Sequence, residues 1–253
     1  MSLPTLLRQP PTLRPALART LASHAYNPPR PAFTPGPPGP PPAAKAGPST
    51  PRAPPNPATT TSPTLPPDHR RLLEEIVRVD HAGELGANWI YRGQKWGSQM
   101  RGDKRTAEQV EDMWENERHH LNVLTRMAHQ HRVRPTALYP VWQVLAWGMG
   151  ATTALMGKEA AMACTEAVET VIGEHYDDQL RALKPVLADN AASETPHPSL
   201  PLMAEVLEEF RDDELGHLDI AVEEGALKAP GHSLLSAAIG AACRIGIMVG
   251  SKV

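Results

Sequence analysis

Between residues 68 and 253, apolar side chains recur every three or four positions, which is the spacing of one face of an α-helix. No run of alternating β-branched residues occurs there, and only 4% of the whole chain is aromatic. The pattern predicts six helices with short connections, and therefore an all-α bundle. The predicted helices cover approximately residues 68–100, 105–130, 139–150, 157–183, 200–226 and 233–250.

Prolines and glycines set the predicted ends of three of these helices. The second helix is expected to stop at segment 133–135, since a residue that precedes proline disfavours the α conformation. The third is expected to fade through Gly148 and Gly150, and the fourth to stop before Pro185. Residues 186–200 are then predicted to form a polar loop.

The first 67 residues differ from the rest in composition. They contain 21 of the 28 prolines, and no Asp or Glu precedes Asp68. Such a segment has too few apolar side chains to form a core and too many fixed φ angles to form helices. We therefore expect a disordered Pro-rich segment over 1–67 and a folded domain over 68–253.

The N-terminal segment also has the pattern of a targeting sequence. Arg8, Arg14 and Arg19 are spaced among Leu, Ala, Ser and Thr without an acidic residue, as in mitochondrial transit peptides. The Pro-rich stretch that follows would serve as an extended linker. The alternative is a disordered basic tail without a targeting function.

The predicted folded part is acidic. Six of the 25 basic residues, but none of the 28 acidic ones, precede residue 68, so the folded part has a net charge of −9. A nucleic-acid-binding domain needs a basic face. The charge balance therefore argues against a nucleic-acid partner.

The third and sixth predicted helices are unusually apolar. The stretch 141–156 is interrupted by Gln143 and two glycines, and the last helix is interrupted by Arg244. A membrane-spanning helix needs about 20 predominantly apolar residues, so we expect neither segment to span a bilayer. Both could lie in a membrane interface or line an apolar pocket, and the alternative of ordinary core helices stays open.

Four of the predicted helices carry a glutamate on the same face as their apolar side chains. Glu214, for example, shares its stripe with Leu207 and Leu218, and the other three follow the same reasoning. Two histidines lie one turn after such a glutamate. The side chains predicted to point inward in this way are Glu84, Glu117, His120, Glu169, Glu214 and His217.

Inward glutamates need a compensating charge, because an isolated buried carboxylate is very costly. The apolar stripes contain no Lys or Arg, whereas two divalent cations would balance four carboxylates. Carboxylate and imidazole ligands together suit iron or manganese better than calcium or structural zinc. The alternative is purely structural, with histidines that pack in the core and glutamates at solvated helix edges.

The Glu-x-x-His pattern strengthens the metal hypothesis. It occurs at Glu117–His120 and at Glu214–His217, and each follows a helix with an inward glutamate. A third copy, Glu194–His197, lies in the predicted loop, where Pro196 prevents a regular helical turn. Two such motifs plus a glutamate from each of two other helices is the ligand arrangement of ferritin-like di-iron bundles. We therefore predict a ferritin-like four-helix bundle with two additional apolar helices.

Several segments together resemble one protein family. From about residue 70 to the C-terminus the chain is similar to the demethoxyubiquinone hydroxylases, which are ferritin-like di-iron enzymes of ubiquinone biosynthesis. The segments that carry the resemblance are Arg78-Val-Asp-His-Ala-Gly-Glu84, Glu117–Leu121, Arg134-Pro-Thr136, Gly157-Lys-Glu159, Ala161–Thr165, Ala167-Val-Glu169 and Phe210–His217.

The resemblance implies roles for particular residues. It makes the same six side chains the ligands of two iron ions, with Glu117 and Glu214 bridging them. It also implies electron or proton transfer by His175 and Tyr176, although a His and a Tyr at a helix boundary have an equally good structural explanation. The chain has Gly216 at a position where we would expect an acidic residue in many relatives.

Two further residues precede ligand glutamates directly in the sequence. Asn116 comes before Glu117, and Asp213 comes before Glu214. Side chains in such positions can hydrogen-bond the ligand histidines and fix their orientation. We therefore expect both residues to contact a ligand histidine.

The activity that the resemblance implies is a di-iron monooxygenase that uses O₂ to hydroxylate the ring of demethoxyubiquinone, a polyprenyl quinone, late in ubiquinone biosynthesis. NADH is implied as electron donor, although the chain contains no G-x-G-x-x-G motif. The implied location is the matrix side of the inner mitochondrial membrane, as a peripheral protein. Other ubiquinone-biosynthesis proteins, including one that binds lipid, are the implied partners.

Three alternatives use the same sequence features. A ferritin-like iron-storage subunit would have the same ligands. A di-iron quinol oxidase would reduce O₂ to water without hydroxylating its substrate. A metal-free helical protein could carry lipid or act as a scaffold.

Overall fold

The computed structural model describes residues 65–252, and no strand lies in this range, so the predicted all-α class is confirmed. Of the predicted transit peptide and linker, residues 1–64 lie outside the described residues. A short 3₁₀ turn covers Ala226–Lys228. The six α-helices are α1 (Pro67–Met100), α2 (Lys104–His131), α3 (Tyr139–Met156), α4 (Lys158–Ala192), α5 (Ser199–Glu223) and α6 (His232–Gly250).

Local sequence signals explain where α1 and α2 begin and where α2 ends. Pro67 opens α1, where its missing N–H would have no helical partner in any case. Asp103 caps α2, because its carboxylate accepts a hydrogen bond from the Thr106 backbone N–H at 3.1 Å. α2 ends at His131, close to the predicted stop, and Arg132 follows it in the left-handed conformation with φ 56°.

The predicted end of the fourth helix is wrong, because α4 continues through Pro185 to Ala192. A proline inside a helix costs about 3 kcal/mol. Leu183 and Val186, however, are both buried in the core, and burial of such a side chain contributes about 1.5–3 kcal/mol. Packing on both sides of the proline thus offsets its cost, and the predicted loop shrinks to 193–198.

The predicted early end of the third helix is also wrong, because α3 continues through both of its glycines to Met156. A Cβ at Gly150 would lie 2.0 Å from the Ile90 carbonyl oxygen. One at Gly93 would lie 2.2 Å from the Trp147 carbonyl oxygen. The glycines let α1 and α3 cross at backbone contact distance, and this packing stabilises α3.

Gly150→Ala is therefore expected to lower the free energy of unfolding by about 1–3 kcal/mol, since the new methyl group meets backbone that cannot yield locally. Gly148→Ala is the matched control on the same helix, because a Cβ there meets no atom within 4 Å. Alanine also favours the helix, so this control should be neutral or stabilising. Denaturant unfolding measures both variants, and equal stabilities would contradict the close crossing.

The central bundle consists of α1, α2, α4 and α5, as predicted. α1 packs along α2, and α4 packs along α5, whereas α3 packs mainly on α1 and α6 mainly on α4. One apolar cluster, around Leu73, Leu124 and Phe210, fills one part of the bundle. A second, around Tyr91 and Met162, fills another. In each bundle helix, the inward glutamate comes between residues of these two clusters.

The outer faces of α3 and α6 are apolar and exposed. Val144 and Leu234 are 71% and 78% exposed, so the alternative of ordinary core helices is wrong. α6 is, among the described residues, the one helix long and apolar enough to cross a membrane, which we did not expect because of Arg244. The Arg244 guanidinium turns towards α4, where it lies 3.1 Å from the Glu174 carboxylate.

Candidate metal centre

Six side chains from α1, α2, α4 and α5 converge between the two apolar clusters. They are at most 3% exposed, and their ligand atoms form two groups, each within 4.8 Å. Both groups contain Glu117 and Glu214. The first group is Glu84, Glu117, His120 and Glu214, and the second is Glu117, Glu169, Glu214 and His217.

The two histidines each turn Nδ1 towards the glutamates. His120 Nδ1 lies 3.1 Å from Glu214 Oε1 and 3.5 Å from Glu84 Oε2. His217 Nδ1 lies 3.1 Å from Glu117 Oε1 and 3.2 Å from Glu214 Oε2. Because Glu214 lies next to both histidines, one carboxylate connects the two groups.

Many of the inward atoms lack a hydrogen-bond partner, which is rare for buried polar groups. Two cations between the glutamates would supply these missing partners and balance the charge. The donor set of four carboxylates and two imidazoles therefore fits a pair of divalent metal ions. Among these six side chains, the buried atoms without a hydrogen-bond partner are Glu84 Oε2, both Glu117 oxygens, His120 Nδ1, Glu169 Oε2 and Glu214 Oε1.

The outward nitrogens of both histidines face the residues expected from the sequence. His120 Nε2 lies 3.1 Å from Asp213 Oδ2. His217 Nε2 lies 3.5 Å from the side-chain amide of Asn116. These contacts fix the ring orientation that presents Nδ1 to the site, and a carboxylate on the far nitrogen also makes the imidazole a stronger ligand.

Glu84 belongs only to the first group and Glu169 only to the second, and a tyrosine hydrogen-bonds each of them. Tyr176 Oη donates a hydrogen bond to Glu84 Oε1 at 2.5 Å, and Tyr91 Oη donates to Glu169 Oε1 at 2.7 Å. Each bond ties up one carboxylate oxygen and leaves the other for a ligand. Sequence reasoning did not select Tyr91 as a site residue.

A signal for Tyr91 was nevertheless present in the sequence. Tyr91 follows Glu84 by seven positions, as Tyr176 follows Glu169. Seven positions are two helical turns, so each tyrosine lies on the face of its own helix that carries the glutamate. In the bundle each tyrosine then reaches across to the glutamate of the other helix.

His175 lies outside the group of six, although it is adjacent to Tyr176. Its ring is 24% exposed and contacts the Gln179 side-chain amide at 2.9 Å. The same amide donates to Asp80 Oδ1 at 2.6 Å, and Asp80 lies 3.5 Å from His175 Nε2. His175 therefore belongs to a polar network that runs from Asp80 to the protein surface.

Burial dominates the electrostatics of the centre. Burial, together with repulsion from neighbouring carboxylates, raises the pKa of Glu117 and of Glu169 well above the ordinary glutamate value. Burial acts in the same direction on Glu214, but the neighbouring imidazoles of His120 and His217 lower its pKa to about 2. Without cations the cluster must therefore keep protons on some of its carboxyl groups.

An apolar cavity of about 450 Å³ lies beside this centre, between α1, α3, α4 and α6. Val168 and Ala87 are among its lining residues, and Val168 directly precedes the inward Glu169. Pockets of this size bind small molecules. The centre thus has an apolar chamber on the side where α3 and α6 lie.

A model of the protein family named Ubiquinone biosynthesis protein COQ7 matches residues 71–250. The chain belongs to this family. The match extends over nearly all of α1–α6, so it includes every residue of the candidate centre. The family membership indicated by the motifs and the ferritin-like class of the bundle are both confirmed.

Individual members of the COQ7 family are similar over most of their length. A Caenorhabditis elegans protein named NADPH-dependent 3-demethoxyubiquinone 3-hydroxylase, mitochondrial, is 42% identical over 182 residues, which are 72% of this chain and 91% of the relative. A Homo sapiens protein of the same name is 40% identical over 183 residues, or 72% and 79%. The Saccharomyces cerevisiae 5-demethoxyubiquinone hydroxylase, mitochondrial, is 40% identical over 183 residues, or 72% and 78%.

Proposed function

We propose that this chain is a mitochondrial hydroxylase that converts a demethoxyubiquinone into its hydroxylated product, with O₂ as the oxygen source, in a late step of ubiquinone biosynthesis. The observation that carries the proposal is the pair of four-residue groups that share Glu117 and Glu214 in the bundle interior. The names of the relatives supply the substrate class.

Two iron ions are the cofactor that this ligand set suits best, and Glu117 and Glu214, which belong to both groups, would help to hold both ions. Glu84 and His120 would complete one site, and Glu169 and His217 the other. Bound and reduced, the irons supply the activation of O₂. The balanced reaction takes a ring C–H, O₂, two electrons and two protons to a ring C–OH and water.

The surrounding side chains orient the ligands and move protons. The phenols of Tyr91 and Tyr176 keep one oxygen of Glu169 and Glu84 occupied, so the second oxygen of each carboxylate would be available to hold a metal ion. We assign to Tyr176 and His175 the transfer of protons or electrons. In support of this, Tyr176 contacts Glu84, and the preceding residue, His175, reaches the protein surface.

The electron donor in this proposal is a reduced nicotinamide nucleotide. The motif resemblance implied NADH, whereas the names of the human and nematode relatives specify NADPH. No dinucleotide-binding fold is present among the described residues, so the nucleotide would bind to the helical surface. Parallel assays with NADH and NADPH distinguish the two donors.

A peripheral position on the inner mitochondrial membrane, on the matrix side, agrees with the apolar faces of α3 and α6. Both faces border the apolar cavity, so a polyprenyl quinone could pass from the bilayer to the centre without crossing water. The same faces could receive a lipid-binding partner from the ubiquinone-biosynthesis machinery. Flotation of the purified chain with liposomes tests the membrane contact.

Residues 1–67 would then be the transit peptide and linker of the folded domain 68–253. Fusion of residues 1–67 to a fluorescent protein is expected to direct it to mitochondria, because the segment is rich in spaced arginines and lacks acids. A fusion in which Arg8, Arg14 and Arg19 are replaced by Glu is the control, and it should stay in the cytosol. Cytosolic fluorescence of both fusions would contradict the targeting role.

Isotope labelling tests the reaction itself. The iron-loaded chain, supplied with demethoxyubiquinone and NADPH or NADH under ¹⁸O₂, is expected to form a hydroxylated quinone that contains one ¹⁸O atom. Mass spectrometry of the quinone distinguishes this result from a quinol oxidase, in which all the label appears in water. A metal-free carrier or scaffold would consume no O₂, and an iron-storage subunit would mineralise iron without product.

A further inference from the structure

The part of the apolar cavity that lies between α1 and α6 is called the slot below. On the α1 side it is lined by Gly83 and Gly86, and on the α6 side by Ala242 and Gly246. Where the two helices approach each other, a Cβ at Gly250 would lie 3.5 Å from the Ala82 Cβ. At these positions on α1 and α6 the small residues keep the slot wide.

The slot lies beside the helices that carry the candidate metal centre and reaches the protein surface. At its inner end Val168 directly precedes Glu169. At its outer end Leu145 and Ile245 line the cavity and are also 59% and 55% exposed. A linear apolar chain could therefore lie in the slot with one end at the centre and the other at the exposed apolar face.

Gly83 and Gly86 are not required for helix packing. A Cβ at either position would meet no atom within 4 Å, in contrast to Gly93 and Gly150, where it would meet backbone. A glycine in a helix interior is destabilising relative to alanine. At positions 83 and 86 the chain thus carries a destabilising glycine that makes no packing contact. The missing side chains leave space in the slot.

We propose that Gly83 and Gly86 are specificity-determining residues, which keep the slot wide enough for the prenyl chain of the substrate. This inference rests on the proposed hydroxylation of a polyprenyl quinone. A side chain at either position projects into the slot and competes with the prenyl chain for the same volume. The quinone ring, which reacts at the centre, does not need that volume.

The test compares a demethoxyubiquinone with a long prenyl chain and an analogue with none. Gly86→Leu is expected to lower kcat/KM for the long-chain substrate by at least about tenfold, since a lost fit in an apolar pocket commonly has this effect. For the chainless analogue kcat/KM should change less than about threefold, because its binding energy comes from the ring site. The loss should grow through the series Gly86→Ala, Gly86→Val and Gly86→Leu, and Gly83→Leu should act similarly.

Gly148→Leu is the matched control, because Gly148 is also a helical glycine with no atom within 4 Å of a Cβ and does not line the cavity. It should leave both substrates unaffected. Iron content and the thermal midpoint identify variants that have lost the fold. Equal losses on both substrates, or no loss on either in a folded Gly86→Leu variant, would overturn the inference.

Failure of the proposed function can be distinguished from failure of this inference. If the unmodified chain hydroxylates neither quinone, the proposed function is rejected. The slot is then decided by binding alone, measured as quenching of tryptophan fluorescence by each quinone. Gly86→Leu should weaken the binding of the long-chain quinone only. An equal effect of this substitution on the binding of both quinones would reject the role of the slot as well.

Discussion

Replacement of Glu117 by leucine is expected to abolish iron binding and hydroxylation while stabilising the metal-free chain. Glu117 is fully buried, and neither of its carboxylate oxygens accepts a hydrogen bond. Burial and the neighbouring carboxylates raise its pKa well above the ordinary value, which is the signature of a group that the metal-free fold does not favour. A buried polar group without a hydrogen bond costs about 1–3 kcal/mol, and an apolar side chain of similar size at this position removes that cost.

The combination of lost iron binding with a gain in stability distinguishes a functional glutamate from a structural one. Denaturant unfolding of the metal-free chain measures the stability, and iron analysis and product formation measure the function. Glu108→Leu is the control, since it removes a glutamate from an exposed position of the same helix. It should retain both iron ions and full activity. A metal-free Glu117→Leu variant that is less stable than the unmodified chain would contradict the proposed role.

Loading of the metal-free chain with ferrous iron under anaerobic conditions is expected to raise its free energy of unfolding strongly. A ligand at 100 times its dissociation constant stabilises a protein by about 2.7 kcal/mol, so two such sites give roughly 5 kcal/mol. For a domain of this size that corresponds to a rise of roughly 10–20 °C in the thermal midpoint. The cause is the partnering of buried carboxylate oxygens that otherwise lack partners.

Differential scanning calorimetry with and without ferrous iron measures this shift. The Glu117→Leu variant provides the control for nonspecific effects of the metal, and it should show little or no shift. Calcium at the same concentration should also have little effect, because the site includes two imidazoles. An iron-independent midpoint in the unmodified chain would mean that the six side chains do not bind the metal.

The sequence was sufficient to predict the six inward side chains because helix faces depend on local spacing. A glutamate such as Glu214 points inward because it shares a helix face with the apolar residues three and four positions away. This does not depend on the rest of the fold. The same logic predicted the histidine contacts of Asn116 and Asp213 from their positions beside Glu117 and Glu214. The pairing of Tyr91 with Glu169 depends on two different helices, and only the bundle reveals it.

Tertiary packing explains where prediction from the sequence failed. Pro185 and Gly150 are local signals for helix ends, but buried neighbours of Pro185 and the backbone crossing at Gly150 outweigh them. The position of α3 and α6 could not be decided either, because core helices and interfacial helices have the same apolar composition. Only their exposure, as at Val144 and Leu234, distinguishes the two cases.

Mössbauer spectroscopy of the iron-loaded, oxidised chain, combined with iron analysis, tests the metal centre most directly. Ions held by two groups that share Glu117 and Glu214 would be close neighbours, and neighbouring ferric ions couple magnetically. We predict two irons per chain, both ferric and coupled to a diamagnetic ground state. One iron per chain, or two irons that behave as independent paramagnetic ions, would contradict the shared carboxylates on which the proposed chemistry depends.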